Sequence, residues 1–197
     1  MPSLRAEPLW SSIMADAARF RSEGPGFRPL IRGVLSQGFQ ALLVYRIFRW
    51  FHERGIPTQP VRFIFERFVE ITTGISIPVE ATIGKGLRIH HFGGIIIHPQ
   101  AVIGEECALY HGVTVGDLGV RGGAPHIGDR VVIGAGAKVV GPIDVGDDSR
   151  IGANAVVVNA VPRGHIAVGV PAVARPIEAT DSTTLVRPCR KSGSAQE

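Results

Sequence analysis

Histidine is the residue type in this sequence best suited to acid–base chemistry near neutral pH, because an imidazole titrates at about pH 6.5. Of the seven histidines, the candidates for chemistry are His90, His91, His98, His111 and His126. Such a side chain can take the proton from a weak nucleophile such as an alcohol. His52 and His165 are interpreted as structural residues. The sequence therefore favours general base catalysis.

Three other kinds of chemistry have less support. The histidines lack the HxxxH and HExxH spacings of helical metal sites, and Cys107 is expected to be a buried, unreactive thiol, so no metal is expected. No GxSxG motif supports a Ser/His/Asp nucleophile. The glycine-rich runs GAGAK and GGAP lack the GxxxxGK[ST] form of a phosphate-binding loop.

A six-residue repeat supplies the elements that must position these histidines. An aliphatic residue returns every sixth position from Ile77 to Ile95 and, after a slip of two residues, from Ile97 to Val157 with one interruption. Neither the helical period of 3.6 residues nor simple alternation fits this spacing. It predicts a parallel solenoid in which three hexads close one coil and the aliphatic residues stack into one core. Turns between the hexads explain the abundance of glycine, 25 of 197 residues.

The repeat is broken twice, by the slip at Ile95 and Ile96 and by the stretch 116–125. In a solenoid, such irregular insertions form loops on one face and often carry the functional site. Both breaks lie near histidines. The site is therefore expected in the repeat region, beside one of these loops.

The residues before the repeat have a different pattern. Apolar side chains at helical spacing predict helices over 9–20, 27–51 and 61–73, so residues 1–73 are expected to form a helical cap and oligomerisation region. This cap would cover the unpaired strand edges of the solenoid, which is assigned to residues 74–177. Residues 178–197 are small and polar and are expected to form a flexible tail.

The apolar stretch 42–51 has two interpretations, a packed part of the cap or a helix that binds a membrane surface. Packing is favoured, and Arg46 and Arg49 are expected to lie on a polar face of the helix. The stretch is too short and too charged to span a bilayer, so no stable membrane insertion is expected.

Composition excludes further classes. The net charge is +4 without a basic stripe, so nucleic acid is not an expected partner. The two cysteines, Cys107 and Cys189, do not form a disulfide framework, and the N-terminus does not resemble a signal peptide. The expected location is cytoplasmic.

Several longer motifs carry a resemblance to a known family. GKGLRIHHFGGIII, LYHGVTVG, IGDRVVIGAGAKVVGPIDVG and IGANAVVV followed by GVPA resemble hexapeptide-repeat acyltransferases and, more narrowly, the serine acetyltransferase family. The resemblance implies a mainly β fold, a left-handed parallel β-helix with an N-terminal α-helical cap. It also implies acetyl transfer from acetyl-CoA to a hydroxyl group, in homotrimers with active sites between neighbouring subunits and with a dimer of trimers as a further assembly.

The same resemblance assigns roles to individual residues. His91 matches the family's catalytic histidine, and Ser76 stands where the family has the aspartate that orients it. The backbone of Gly112 is a candidate donor to the oxyanion. The positions implied for coenzyme A are Ala135, Gly136, Ala137, Lys138, Gly152, Ala153, Val170, Pro171 and Arg175. Lys138 and Arg175 would pair with its phosphates.

Departures from the family pattern concern the acceptor. His90 stands in place of an aspartate, and Gly123 and Ala124 replace the Arg-His pair that binds the amino-acid acceptor. Arg121 and His126, which are not in register, could substitute for that pair. The candidate acceptor-binding residues are His90, His98, His111, Arg121 and His126.

These observations predict an acetyl-CoA-dependent O-acetyltransferase. The departures favour a sugar or other hydroxyl compound as acceptor over free serine, and a true serine O-acetyltransferase of cysteine biosynthesis is the alternative. A non-catalytic trimeric scaffold is a further alternative, favoured by the neutral Ser76. A complex with cysteine synthase is not expected, because the chain ends in Ser-Ala-Gln-Glu where the family tail often ends in an apolar residue.

Overall fold

The computed structural model describes residues 8–19, 31, 33, 35–91, 93–119 and 122–177. Its helices are α1 (Leu9–Ala18), α2 (Gln37–Glu53) and α3 (Val61–Thr73). The predicted tail 178–197 and the first residues of the predicted helix 27–51 lie outside the described residues.

The predicted helix 27–51 is interrupted before α2: residues 31 and 33 are helical, and α2 begins at Gln37 after a turn at residues 35 and 36. Ser36 has an extended backbone, and its hydroxyl oxygen accepts a hydrogen bond from the Phe39 N–H at 3.3 Å. Serine is among the preferred residues for such an N-cap, because its oxygen satisfies an N–H group that has no partner within the helix. The helix then continues to Glu53. The apolar periodicity therefore continued past the point where α2 begins, and it did not reveal the N-cap at Ser36.

Short strands with one turn between them make up the rest of the described chain. They are β1 (Ile75–Ser76), β2 (Thr82–Ile83), β3 (Arg88–Ile89), β4 (Ile95–Ile97), β5 (Val102–Ile103), β6 (Ala108–Leu109), β7 (Thr114–Gly116), β8 (His126–Ile127), β9 (Val132–Ile133), β10 (Lys138–Val140), β11 (Asp144–Val145), β12 (Arg150–Ile151), β13 (Val156–Val157), β14 (His165–Gly169) and β15 (Ala172–Pro176).

The strands form three parallel sheets in which strands three places apart in the chain are neighbours. The first sheet has the order β1-β4-β7-β10-β13, and the second contains β2, β5, β8 and β11. The third has the order β3-β6-β9-β12-β14 and ends with β15, which is antiparallel to β14. Three strands thus close each coil, and the predicted parallel β-helix with N-terminal helices is confirmed.

The aliphatic positions of the hexads stack inside the β-helix. In the second sheet, Ile83 is in register with Ile103 and Ile103 with Ile127, and none of the three is more than 7% exposed. Cys107 is buried in the same core. Burial raises the pKa of its thiol to about 11, so the group stays protonated and unreactive at neutral pH.

Helix α2 covers the open end of the first coil. At strand positions such as Thr82 and Gly84 the N–H groups donate to carbonyls of the next coil, so the first-coil carbonyls that face the open end need other donors. The Tyr45 hydroxyl donates to the Ala81 carbonyl at 2.8 Å, and Arg49 Nη1 donates to the Val79 carbonyl at 3.0 Å. The helix thereby replaces a missing coil.

The expectation that Arg46 lies on a polar helix face is wrong. Its side chain is buried, and its Nη1 and Nη2 donate to the carbonyls of Ile83 and Gly84, each at 2.7 Å. Its Nε lies 2.9 Å from the Asp16 carboxylate. A guanidinium offers five donors in a fixed plane, which suits the unpaired carbonyls at the end of a coil.

The apolar side chains of the stretch 42–51 pack in the same way. Leu42 and Tyr45 belong to the core of the first coil, and Phe48 is buried beside them. This packing favours the cap interpretation of the stretch. Among the residues that the structure describes, no helix has the length and apolar character needed to cross a membrane.

Candidate active site

The candidate site lies along one edge of the β-helix, between the third and the first sheets. The turns at this edge comprise residues 90–94, 110–113, 134–137 and 152–155, and together they are called the His91 edge. Backbone hydrogen bonds stack these turns: Gly136 N–H donates to the His111 carbonyl and Asn154 N–H donates to the Ala135 carbonyl, each at 2.8 Å. The edge therefore holds the residues of successive coils in a fixed row.

His91 lies two residues after the end of β3, and its backbone is left-handed. Its φ is 63°, in the left-handed region that residues with a side chain rarely adopt, and its side chain is exposed. The slip in the hexad repeat falls in the same turn. Other turns of the β-helix have the same left-handed backbone, at Glu106, Arg130, Asp148 and Asn154, so what distinguishes His91 is the exposed imidazole that its turn carries.

Three further aromatic rings surround the His91 imidazole. The His111 ring lies edge-on to it, with centroids 5.8 Å apart and planes at 81°. The Tyr110 ring lies 6.0 Å away and the His90 ring 6.3 Å away. His90 and Tyr110 are themselves stacked, at 4.5 Å and 9°. The structure thus brings together His90, His91 and His111.

The imidazole of His90 is neutral at physiological pH. Its pKa is lowered to about 4, chiefly because burial penalises the charged form and further because of the positive charge of Arg88. His91 and Arg19 add smaller repulsions. A neutral imidazole both donates and accepts hydrogen bonds, so His90 can serve a polar acceptor without adding charge.

An open cleft of about 720 Å³ lies in front of His91. His91, His111 and Ile89 line one side, and residues 35–37 at the start of α2 line the other. The sequence analysis did not identify this helical wall. The signal that could have shown it is Gly38, since a Cβ there would lie 2.7 Å from the Ile89 Cβ, and an isolated glycine in a helical pattern often has a packing reason.

Ser76 lies in β1 of the first sheet and faces a different groove. That groove is formed with α2 and α3 and includes Phe63 and Val69. Neither the Ser76 hydroxyl nor the His91 imidazole makes a side-chain hydrogen bond to any residue that the structure describes. The structure therefore does not show Ser76 orienting His91.

Other predicted acceptor residues lie away from the His91 edge of the same chain. His98 follows β4 at the opposite end of the first sheet, and its Nδ1 accepts a hydrogen bond from the Gln100 N–H at 3.2 Å. His126 is exposed on β8 in the second sheet. Arg121 lies outside the described residues, and Ala124 is buried.

Most positions predicted for coenzyme A lie on the His91 edge. Ala135, Gly136, Gly152 and Ala153 form a row of small residues on the two coils after His111, and successive coils are about 4.8 Å apart. Val170 and Pro171 form the turn after β14, which continues the third sheet towards the same edge.

Three of the predicted positions are placed differently. Ala137 is fully buried, so only its backbone could contact a ligand. The Lys138 ammonium donates to the Gly112 carbonyl at 2.6 Å and to Thr114 Oγ1 at 3.0 Å. Arg175 is exposed on β15, opposite Ile166 and farther from the edge. Among the described residues, no group of three or more potential ligands is arranged to hold a metal ion.

Fold and site together define a hexapeptide-repeat acyltransferase. A family model described as "Bacterial transferase hexapeptide (six repeats)" matches residues 124–159. The chain is 46% identical over 136 residues to the serine acetyltransferase of Mycobacterium tuberculosis, covering 68% of this chain and 58% of that protein. It is 45% identical over 146 residues to that of Helicobacter pylori strain J99, covering 71% and 81%.

Solved structures agree with these relatives. Soybean serine acetyltransferase complexed with serine matches with a TM-score of 0.76 and 32% identity, covering 85% of this chain and 69% of that one. A serine acetyltransferase in complex with CoA matches with a TM-score of 0.73 and 30% identity, with the same coverage. The chain belongs to the serine acetyltransferase family, although it spans little more than half of the Mycobacterium tuberculosis relative.

These relatives overturn the preferred acceptor. A sugar or other hydroxyl compound was expected from the residues at Gly123 and Ala124, but relatives that are 38–46% identical are named serine acetyltransferases. Two substituted loop positions, one of them buried, weigh less than an identity of 38–46% over 136 to 166 residues.

Proposed function

We propose that the chain transfers the acetyl group of acetyl-CoA to the hydroxyl of serine, with His91 as the general base. One observation carries the proposal: an exposed imidazole on a left-handed turn opens onto a cleft of about 720 Å³, at one end of a row of small residues. The family relationship supplies serine as the acceptor and acetyl-CoA as the donor, since related structures bind serine and CoA.

The chemistry requires a base because an alcohol is a poor nucleophile at neutral pH. His91 takes the hydroxyl proton as the serine oxygen attacks the thioester carbonyl, and the resulting imidazolium gives that proton to the departing thiolate. The neutral His90 beside it provides a hydrogen-bonding group for serine. The Gly112 N–H donates to the Gly93 carbonyl at 3.0 Å, so it is not assigned to the oxyanion.

The donor would lie along the His91 edge. Small side chains at Ala135, Gly136, Gly152 and Ala153 leave the backbone accessible to an extended pantetheine arm. Arg175 provides a positive charge for the phosphates, together with the turn at Val170 and Pro171. The Lys138 ammonium donates hydrogen bonds to Gly112 and Thr114. We therefore assign Lys138 to holding the turn 110–113, which carries His111.

We also propose that the protein is a homotrimer and that neighbouring copies complete the acceptor site. His98 and His126 lie on other faces of the β-helix, from which they can reach the His91 edge of another copy only. Helix α3 supports association, because Phe63, Phe68 and Ile71 are all more than half exposed. The cytoplasmic location stays a prediction.

The test is thiol release from acetyl-CoA by the purified chain with serine as acceptor. We expect turnover with serine and a loss of about 10²- to 10⁴-fold in kcat for His91→Ala. His52→Gln is the matched control, because His52 is solvent-exposed in the last turn of α2 and lies outside the site. Binding of CoA without any turnover on serine, or full activity of His91→Ala, would overturn the proposal.

A further inference from the structure

The His91 imidazole is held by ring contacts. It makes no side-chain hydrogen bond within the described part of the chain, and its aromatic neighbours are His90, Tyr110 and His111. A general base must be oriented, and its charged form must be stabilised once it has taken the proton. The contacts of Tyr110 and His111 are the available means of doing both.

Both neighbouring rings have suitable geometry. The edge-on arrangement of His91 and His111, at 5.8 Å and 81°, is one of the two preferred arrangements of aromatic pairs. The Tyr110 ring is inclined at 41° to His91 at 6.0 Å. An imidazolium beside the face of an aromatic ring is also attracted by the ring's quadrupole. The Tyr110 contact therefore favours the charged state that follows proton transfer, and the His111 contact holds the orientation of the ring.

Contacts other than those with His91 fix the Tyr110 ring and the backbone of His111. Tyr110 is stacked flat against the half-buried His90 ring, with centroids 4.5 Å apart. The His111 carbonyl accepts a hydrogen bond from Gly136 N–H, and the next carbonyl, that of Gly112, accepts one from the Lys138 ammonium. The Tyr110 ring and the backbone that carries His111 are therefore held by contacts that do not involve His91.

We propose that Tyr110 and His111 form an aromatic cradle that orients the His91 imidazole and stabilises its protonated form in place of a carboxylate. The inference rests on the proposed role of His91 as the base. In the reaction, the serine O–H bond breaks and its proton goes to His91 while the new oxygen–carbon bond forms. The carbon–sulfur bond then breaks, and the sulfur of CoA receives the proton from His91. Tyr110 and His111 exchange no proton, so they are positioning residues.

Matched pairs of variants separate a ring contact from a hydrogen bond. His111→Ala and Tyr110→Leu remove the rings, whereas His111→Phe and Tyr110→Phe keep a ring and remove the polar group. We expect the ring-less variants to lose about 10- to 100-fold in kcat with the KM for serine within about twofold, and the ring-keeping variants to retain about a third or more of kcat. If His111 instead binds serine directly, His111→Phe will raise the KM as strongly as His111→Ala, and the cradle is wrong.

A spectroscopic readout makes the test independent of turnover. The ¹⁵N signals of the His91 ring, assigned by their loss in His91→Ala, report the tautomer and the order of that ring. We expect sharp signals of one tautomer in the original chain and in His111→Phe, and averaged or broadened signals in His111→Ala. Unchanged signals in His111→Ala and Tyr110→Leu would overturn the cradle. If the chain does not acetylate serine but the signals behave as expected, the proposed function fails and the cradle remains.

Discussion

Arg46 and Asp16 form a buried ion pair that joins two helices to the first coil of the β-helix. Arg46 Nε lies 2.9 Å from Asp16 Oδ2, and both side chains are less than a tenth exposed. Asp16 Oδ1 also accepts the Leu87 N–H at 3.1 Å. The pair therefore connects α1, α2 and the turn before β3.

Asp16→Asn should destabilise the protein strongly. It leaves the Arg46 guanidinium buried without its countercharge, which typically costs about 3–5 kcal/mol. Urea unfolding measures the change. The control is Glu53→Gln, which removes the partly exposed partner that lies 2.8 Å from Arg49 and should cost about 0.5 kcal/mol or less. If both substitutions lower the free energy of unfolding equally, the buried ion pair does not stabilise the cap more than the exposed pair does.

The core of the β-helix could be predicted from the sequence because the hexad spacing is a local property. Ile83 and Ile103 are in register because twenty residues separate corresponding positions of the first two coils. The same spacing relates His90 to Tyr110, whose rings are stacked. The twenty-residue spacing could therefore have predicted that Tyr110 lies beside His90, although the sequence analysis did not identify Tyr110.

The cleft wall could not be predicted in this way. Residues 35–37 lie in front of His91 because α2 packs on β3, and this contact joins segments about fifty residues apart in the chain. The predicted acceptor residues show the opposite case, in which residues close in sequence are apart in space. His98 is near His91 in sequence but lies beyond the first sheet. One short strand is enough to carry the chain from one edge of a triangular coil to the next.

Gly38→Ala tests the contact that places the helical wall. Alanine ordinarily stabilises a helix interior by about 1 kcal/mol relative to glycine. Here the new Cβ would lie 2.7 Å from the Ile89 Cβ and 2.8 Å from the Ile89 carbonyl oxygen, so α2 must move away from β3. We expect lower stability and a raised KM for serine. His52→Ala, at an exposed position in the last turn of the same helix, should change neither; a stabilised Gly38→Ala variant would contradict the close approach.

The lowered pKa of His90 predicts a pH dependence of stability. The native imidazole has a pKa of about 4, whereas the ordinary value is 6.5. As the pH falls from 6.5 towards 4, the unfolded chain takes up a proton that the folded chain does not, so the free energy of unfolding falls. Because His90 is only half-buried, solvent screening reduces this contribution to about 1 kcal/mol.

His90→Phe isolates that contribution because it keeps a ring against Tyr110 and removes the titrating group. The difference in unfolding free energy between the original chain and this variant should change across pH 4–6.5 and be constant from pH 7 to 8. Carboxylates such as Asp148, whose pKa is lowered by its hydrogen bond from Arg130, contribute equally to both chains and cancel. A constant difference over the whole range would mean that His90 titrates normally.

A variant of Lys138 can show whether the Lys138 ammonium supports the turn 110–113 or binds a phosphate of CoA. Lys138→Met keeps the apolar stem but removes the donors to the Gly112 carbonyl and to Thr114 Oγ1. Because hydrogen bonds from charged groups contribute about 1.5–3 kcal/mol, we expect a loss of stability in that range. The turn also carries His111, so kcat should fall while the KM for acetyl-CoA stays nearly constant.

Arg175→Met is the matched control, because Arg175 is exposed and its side chain makes no ion pair with any residue that the structure describes. It should raise the KM for acetyl-CoA, more strongly at low salt, with little change in stability. If Lys138 binds phosphate instead, Lys138→Met will show that same salt-dependent rise in KM, and kcat will be preserved. The two variants therefore assign the positive charges of the donor side, because a lysine that holds the His111 turn and an arginine that meets phosphate affect different kinetic constants.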